Sequence, residues 1–148
     1  MKPIESLVTG REIVFVESSD NVLSAVRRLV ENNIGAAPVL EGGRLAGVFS
    51  ERDLMTRVIV AGKDPATVPV DEVMTRDVVV ARSTESVHDC LARMRAAGIR
   101  HLPVVEGDRL VGFLSLRDLL LVEISEKVDE IEYLTAYIHF TPPTGGGS

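Results

Sequence analysis

Ile34-Gly35-Ala36-Ala37-Pro38-Val39, followed by Gly47-Val48-Phe49-Ser50-Glu51-Arg52-Asp53, returns 65 residues later as Ile99-Arg100-His101-Leu102-Pro103-Val104 and Gly112-Phe113-Leu114-Ser115-Leu116-Arg117-Asp118. Laid on itself at that offset, Ile13–Met55 covers Val78–Leu120 without a gap, and sixteen of the 43 pairs are identical. Val22/Val87, Pro38/Pro103, Gly47/Gly112, Ser50/Ser115 and Asp53/Asp118 are among them. Unrelated segments share far fewer identities over such a length, so the chain is a duplicated unit of roughly 60 residues. A unit of that size buries too little surface to stand alone, and the two halves are expected to pack together. The division this implies is 1–64 for the first repeat, 65–137 for the second with a C-terminal helix, and 138–148 for a flexible tail rich in Pro and Gly.

Working outward, Ile13-Val14-Phe15-Val16 is rich in β-branched residues and predicts a short strand. Ser19 or Asp20 offers a cap for a helix that carries Val22, Ala25, Val26, Leu29 and Val30 at the 3.6-residue period. Asn32-Asn33 ends it. Ala37–Leu40 and Leu45–Phe49 flank Glu41-Gly42-Gly43-Arg44, which is hairpin chemistry. A second helix is expected from near Ser50 to about Ala61. The second unit reads the same way from Val78 to about Glu126, with Thr84 as cap and Glu106-Gly107-Asp108 as turn. Gly62–Pro69 is the linker. The near-continuous apolar strands imply burial on both faces. The expected fold is α/β in content, a mixed α+β chain of two β-α-β-β-α units packed around a pseudo-twofold axis. From Val122 to Ile138 a helix continues with Ile124, Val128, Ile131, Leu134 and Ile138 on one stripe, which is unusual for a monomer left in water.

Composition narrows the function. Of the 148 residues 45% are hydrophobic but only 4% aromatic, with no Trp, so the core must be aliphatic. The net charge is −6 without any Lys/Arg block, which disfavours nucleic acid and anionic membrane as partners, because both are held by basic surfaces. No apolar run approaches the ~20 residues of a membrane span, and the start lacks a signal peptide's apolar stretch. One cysteine, Cys90, cannot form an intramolecular disulfide. A cytoplasmic protein is the expectation. Cys90 aligns with Ala25 on the buried helix face and is expected to be a packed core thiol. His88, Asp89 and Cys90 are consecutive on a helix, so their side chains diverge and cannot share a metal. There is no phosphate-binding G-x-x-x-x-G-K-[ST] loop and no activated nucleophile or paired acid and base. The chain is expected not to be an enzyme and to require no cofactor or metal.

The two quoted blocks resemble the signature of cystathionine-β-synthase (CBS) domains, and two in tandem resemble a Bateman module; the likeness covers roughly residues 4 to 137. The resemblance implies a regulatory unit that holds an adenosine-containing ligand (AMP, ADP, ATP, NAD(H) or S-adenosylmethionine) in two related clefts between the repeats. Carried over by position, it implies ribose contacts for Asp53 and Asp118 and phosphate contacts for Ser50 and Ser115. Gly35 and Ala36 in one repeat, and Arg100 and His101 in the other, fall on a further contact region. Ser19 and Thr84, at the start of each unit's first helix, complete the candidate set. Chemistry supports the assignment: a helix start presents free N–H groups to an anion, and Arg52 and Arg117 in its first turn add charge. Gly47 and Gly112 allow a backbone or base to approach closely. The competing reading of both S-x-x-D motifs is a capping box that only stabilises the helix. The resemblance also implies a homodimer and an effector protein. A constitutive dimerisation or interaction module is the alternative function.

Overall fold

The computed structural model describes residues 3–140, with side chains through Ile138. It contains two three-stranded sheets of identical construction. In the first, β1 (Val16–Glu17) runs parallel to β2 (Ala36–Glu41), which pairs antiparallel with β3 (Arg44–Ser50). Helix α2 (Val22–Glu31) makes the crossover from β1 to β2. It is preceded by a short α1 (Glu5–Val8). In the second, β4 (Ala81–Arg82), α4 (Val87–Ala97), β5 (His101–Glu106) and β6 (Arg109–Ser115) repeat the arrangement, down to a register shift after Val39 and after Val104. After β3 the chain turns into α3 (Glu51–Asp53), which widens into a π-helix over Leu54–Ile59. After β6 it enters a single long helix, α5 (Leu116–Phe140).

Local chemistry explains most boundaries. Gly42 and Gly43, at φ +58° and +80°, make the tight turn between β2 and β3 that a residue with a Cβ resists. Asn33 and Gly98 take the left-handed conformation that stops α2 and α4. The caps fall later than the sequence predicts. Asn21 accepts from the Ser24 N–H at 2.8 Å, and Ser86 from the Asp89 N–H at 3.1 Å, so neither Ser19 nor Thr84 caps its helix. Asp20 is engaged one turn earlier, accepting from the Glu17 N–H at 2.9 Å, and Glu85 does the same for Arg82 while also pairing with Arg93. The first strand is also shorter than expected: Ile13–Phe15 have no ladder partner, and pairing starts at Val16. Val30, expected on the buried stripe, is 72% exposed because α2 turns only Val22, Ala25 and Leu29 fully inward. β2 is buried almost throughout, whereas β3 and β6 alternate.

The two cores are closed by exchange. Val68, Val70, Val73 and Met74, which precede the second repeat, pack with Val16, Val22, Leu29, Val39 and Phe49 of the first. Ile4 and Val8, which precede the first repeat, pack with Val87, Cys90, Met94, Leu102 and Leu114 of the second. Matching bonds hold both segments: Val70 N–H donates to Asp20 O at 2.8 Å, and Ile4 N–H to Glu85 O at 2.8 Å. The expected linker is therefore bound against α2, with Leu23 and Val22 N–H donating to Pro65 and Val68 carbonyls. Cys90 is fully buried, and that burial pushes its thiol up to about 11. Helix α5 extends to Phe140; residues 141–148 of the expected tail lie outside the described residues.

Gly47 and Gly112 admit these exchanged segments. A Cβ on Gly47 would stand 2.6 Å from the Thr75 carbonyl oxygen, and one on Gly112 would stand 2.7 Å from Val8 Cβ and closer still to its Cγ1. Gly47→Ala and Gly112→Ala are each expected to destabilise the protein by ~1–3 kcal/mol through overpacking. Adding Val8→Ala should recover part of the loss only for Gly112→Ala, because the obstacles at Gly47 are the Thr75 carbonyl and the Met74 side chain rather than Val8. Urea denaturation of the three single variants and the two double variants measures this; full additivity of Val8→Ala with Gly112→Ala would count against the exchange contact.

Candidate functional site: two clefts between the repeats

The twofold arrangement brings β3 and β6 together at the centre of the molecule and opens a cleft on either side of them. The larger, of about 570 Å³, is built on the end of β3 and the start of α3. Gly35, Val48, Ser50, Glu51, Arg52 and Asp53 form one wall, and Val78, Val79, Ile99, Arg100 and His101 of the other repeat form the opposite one. The smaller, of about 280 Å³, is built on the end of β6. Phe113, Ser115 and Asp118 face Ile13, Val14, Ile34 and Ala36 across it. Most of its lining is the larger cleft's lining displaced by 65 positions. Phe113 stands where the larger cleft has Val48, and its ring stacks on His101 with centroids 5.4 Å apart, which accounts for the reduced space.

Asp53 is only 5% exposed, and the bonds around it explain how a carboxylate is held there. Its Oδ2 accepts from the Ser50 N–H at 3.0 Å and the Ser50 hydroxyl at 3.1 Å, while Ser50 Oγ accepts from the Asp53 N–H at 3.3 Å. This is the reciprocal capping box. The Thr75 hydroxyl donates to Oδ1 at 3.1 Å, and Arg57 Nε stands 3.5 Å from the same oxygen. Asp53 therefore caps α3 and also ties the exchanged segment to it. Asp118 is half-buried and makes the cap alone: its Oδ2 accepts from the Ser115 N–H at 2.9 Å and its N–H donates to Ser115 Oγ at 3.0 Å. Nothing equivalent to Thr75 reaches it, because Gly10 occupies that place in the first repeat.

The structure brings most of the candidate residues to the clefts, in a partition the sequence does not reveal. Arg100 lines the cleft of Ser50 and Asp53, not that of Ser115 and Asp118. His101 lines both. Gly35 and Ala36 separate, one to each cleft, and the Glu51 carboxyl group lies so close to Gly35 that a Cβ there would meet it at 3.2 Å. Arg52 lines the larger cleft; Arg117 is exposed and lines neither, and Ser19 and Thr84 sit on exposed turns outside both. Val78-Val79 and Ile13-Val14, where the sequence predicts strand, lie outside the ladders and form cleft walls, and Thr75 carries no motif at all. The signal for the two dipeptides is their 65-residue correspondence, Ile13 with Val78 and Val14 with Val79, which marks them as equivalent without saying what they face.

His101 decides the electrostatics of the centre. Burial pushes its pKa below the ordinary value, opposed by the Asp118 and Glu51 carboxylates and reinforced by Arg100. Among the described residues no group of three or more His, Cys, Asp or Glu comes together to hold a metal, and no helix is long and apolar enough to cross a membrane.

The CBS domain family model matches residues 4–60 and 70–124, the two repeats. The CBS domain-containing protein YhcV of Bacillus subtilis is 33% identical over 116 residues, covering 78% of this chain and 82% of YhcV. The CBS-domain containing protein ATU1752 from Agrobacterium tumefaciens superposes with a TM-score of 0.75 at 29% identity, covering 82% of this chain and 99% of that one. The CBS domain pair of protein MJ0100, solved in complex with 5′-methylthioadenosine and S-adenosyl-L-methionine, shares the fold with a TM-score of 0.75 at 22% identity, over 85% of this chain and 98% of that one. With two matched domains, two equivalent sheets and a cleft on each side of their junction, this chain belongs to the CBS domain family as a tandem pair.

Proposed function

We propose that the chain is a non-catalytic sensor that binds an adenosine-containing ligand (AMP, ADP, ATP, NAD(H) or S-adenosylmethionine) between its repeats and reports energy or redox state to an effector protein, working as a cytoplasmic homodimer. CBS pairs are regulatory modules. The observation that carries the reading is the larger cleft, where Ser50, Arg52 and Asp53 of one repeat meet Arg100 and His101 of the other across about 570 Å³. That lies within the ~300–1,000 Å³ of small-molecule sites. Apolar Val48, Val78, Val79 and Ile99 suit a base, Asp53 suits ribose hydroxyls, and Arg52 and Arg100 suit phosphate. The ligand bound by the MJ0100 pair is of the same chemical class. The smaller cleft offers Asp118 and Ser115 but no lining arginine beyond Arg11, so phosphate-bearing ligands should prefer the larger one.

A second reading is a ligand-independent dimerisation module. Its support is that both carboxylates already have a structural task in the caps. A thermal-shift series with AMP, ATP, NADH and S-adenosylmethionine separates the two. A ligand at about 100 times its Kd should add ~2.7 kcal/mol, or roughly 5–10 °C in Tm. No shift with any of the four favours the module.

Asp53→Ala and Asp118→Ala should each weaken binding at their own cleft by ~1.5–3 kcal/mol, the value of a hydrogen bond to a charged group. Their stability costs should differ. Asp118→Ala loses a cap, about 1 kcal/mol, and Asp53→Ala loses the Thr75 link as well. Calorimetric titration with denaturation of each variant tests both parts; unchanged binding in both single variants and the double variant removes the ribose assignment.

Arg100→Ala should weaken ADP or ATP more than adenosine, since only a phosphate uses the guanidinium fork fully. Equal losses would indicate damaged packing. The pH dependence has a definite sign. His101 is held below its ordinary pKa in the free protein, and a nearby phosphate favours the imidazolium. Binding a phosphate-bearing ligand should then take up a proton. Affinity should rise as the pH falls through the ordinary histidine range and level off once the free protein is itself protonated. His101→Gln should flatten this dependence. Calorimetry in buffers of different ionisation enthalpy that finds no proton uptake would refute it.

A further inference from the structure

Beyond the last turn that packs on the second core, α5 carries apolar side chains that are largely exposed. Leu119 is buried and Val122 half-buried, but Leu121, Ile124, Val128, Ile131 and Ile138 are 46–69% exposed. Leu121, Ile124, Val128, Ile131, Thr135 and Ile138 follow one another at steps of three, four, three, four and three residues. That alternation averages 3.5 and lines up a narrow seam along one side of a helix, the pattern with which two helices pack knobs into holes. Leu121, Val128 and Thr135 form one set of seam positions, Ile124, Ile131 and Ile138 the other.

We propose that α5 from Leu121 onward pairs, parallel and in register, with the same helix of a second copy of this chain. The charges beside the seam select this occupant and this direction. Lys127 precedes the seam residue Val128, and Glu132 follows the seam residue Ile131. In a parallel pair the residue preceding the first seam set lies beside the residue five positions later in the partner. Lys127 of each copy therefore meets Glu132 of the other, twice by symmetry. An antiparallel pair sets Lys127 among Lys127, Leu120 and Leu134, and Glu132 among Glu132, Ser125 and His139, so that Lys127 meets no carboxylate. Within one chain Lys127 pairs with Glu130 at 3.6 Å, both side chains more than 60% exposed, a surface contact easily exchanged.

The pairing rests on the homodimer part of the proposed function and is independent of the ligand. Light scattering and sedimentation of the full chain across a micromolar concentration series should give a dimer; a trimer or tetramer, the state that isoleucine throughout the second seam set favours in isolated parallel helices, overturns the two-stranded pairing. Ile131→Asp should weaken it by about 100-fold or more, the order expected when a buried aliphatic pair is replaced by two like charges. The position is exposed, so the melting of the CBS pair itself should be unchanged. Lys127→Glu and Glu132→Lys should each weaken the dimer, and Lys127→Glu with Glu132→Lys together should restore it. Thr135→Cys should cross-link into a covalent dimer under mild oxidation, since equivalent seam positions touch only in a parallel pair; Cys90 is buried and gives little background. A dimer indifferent to Ile131→Asp and to the charge reversals overturns the α5 pairing while leaving the homodimer standing. A monomer throughout overturns both, and absence of cross-linking in a dimer sensitive to Ile131→Asp overturns the parallel direction.

Discussion

Neither half of this chain can close its own core. Each three-stranded sheet with its crossover helix leaves one side open, and the segment that fills it comes from before the other repeat: Val68, Val70, Val73 and Met74 on one side, Ile4 and Val8 on the other. The contact is close enough to need glycine at the middle of β3 and of β6, where a Cβ would meet Thr75 or Val8. Burying aliphatic residues at ~1.5–3 kcal/mol each makes this exchange the interaction that commits the halves to one another. It also fixes their relative orientation, because the same segments are hydrogen-bonded to the turns before α2 and α4.

The clefts are a consequence of that orientation. Once β3 and β6 adjoin, the ends of both strands face the opposite repeat, and each S-x-x-D motif acquires a wall it does not encode. The duplication is imperfect at the points that matter most. Gly35 answers to Arg100, Ala36 to His101, Glu51 to Leu116, Val48 to Phe113 and Gly10 to Thr75. The result is one roomy cleft with arginines and a doubly used carboxylate, and one small cleft partly filled by a stacked aromatic pair. His101 belongs to both, so whatever changes its charge or position in one is felt at the wall of the other.

Asp53 shows how a structural and a binding role combine in one side chain. A capping box satisfies helix N–H groups, and its carboxylate has lone pairs left over for further donors. In this chain Thr75 and Arg57 use part of that capacity, tying the helix start to the exchanged segment. A ligand competing for the same oxygens would therefore act on the joint between the repeats. That gives the regulatory reading a physical route from cleft to fold.

Much of this was legible in the residues. The 65-residue repeat, the helix and hairpin chemistry within it, the buried Cys90 and the S-x-x-D motifs all rest on local composition and spacing, which a linear sequence records directly. The exact caps were not, because Ser19, Asp20 and Asn21 are all good N-cap residues and only the course of the preceding turn selects Asn21. The exchange of segments was not, since the apolar residues of 68–74 and 4–8 look the same whichever core they enter. The partition of Arg100, His101, Gly35 and Ala36 between clefts was not, because it depends on which repeat faces which. By itself the sequence determined the unit, its duplication and the chemistry at each strand end. Tertiary structure decided which ends meet, since long-range aliphatic burial is non-directional in sequence and acquires its direction only from shape.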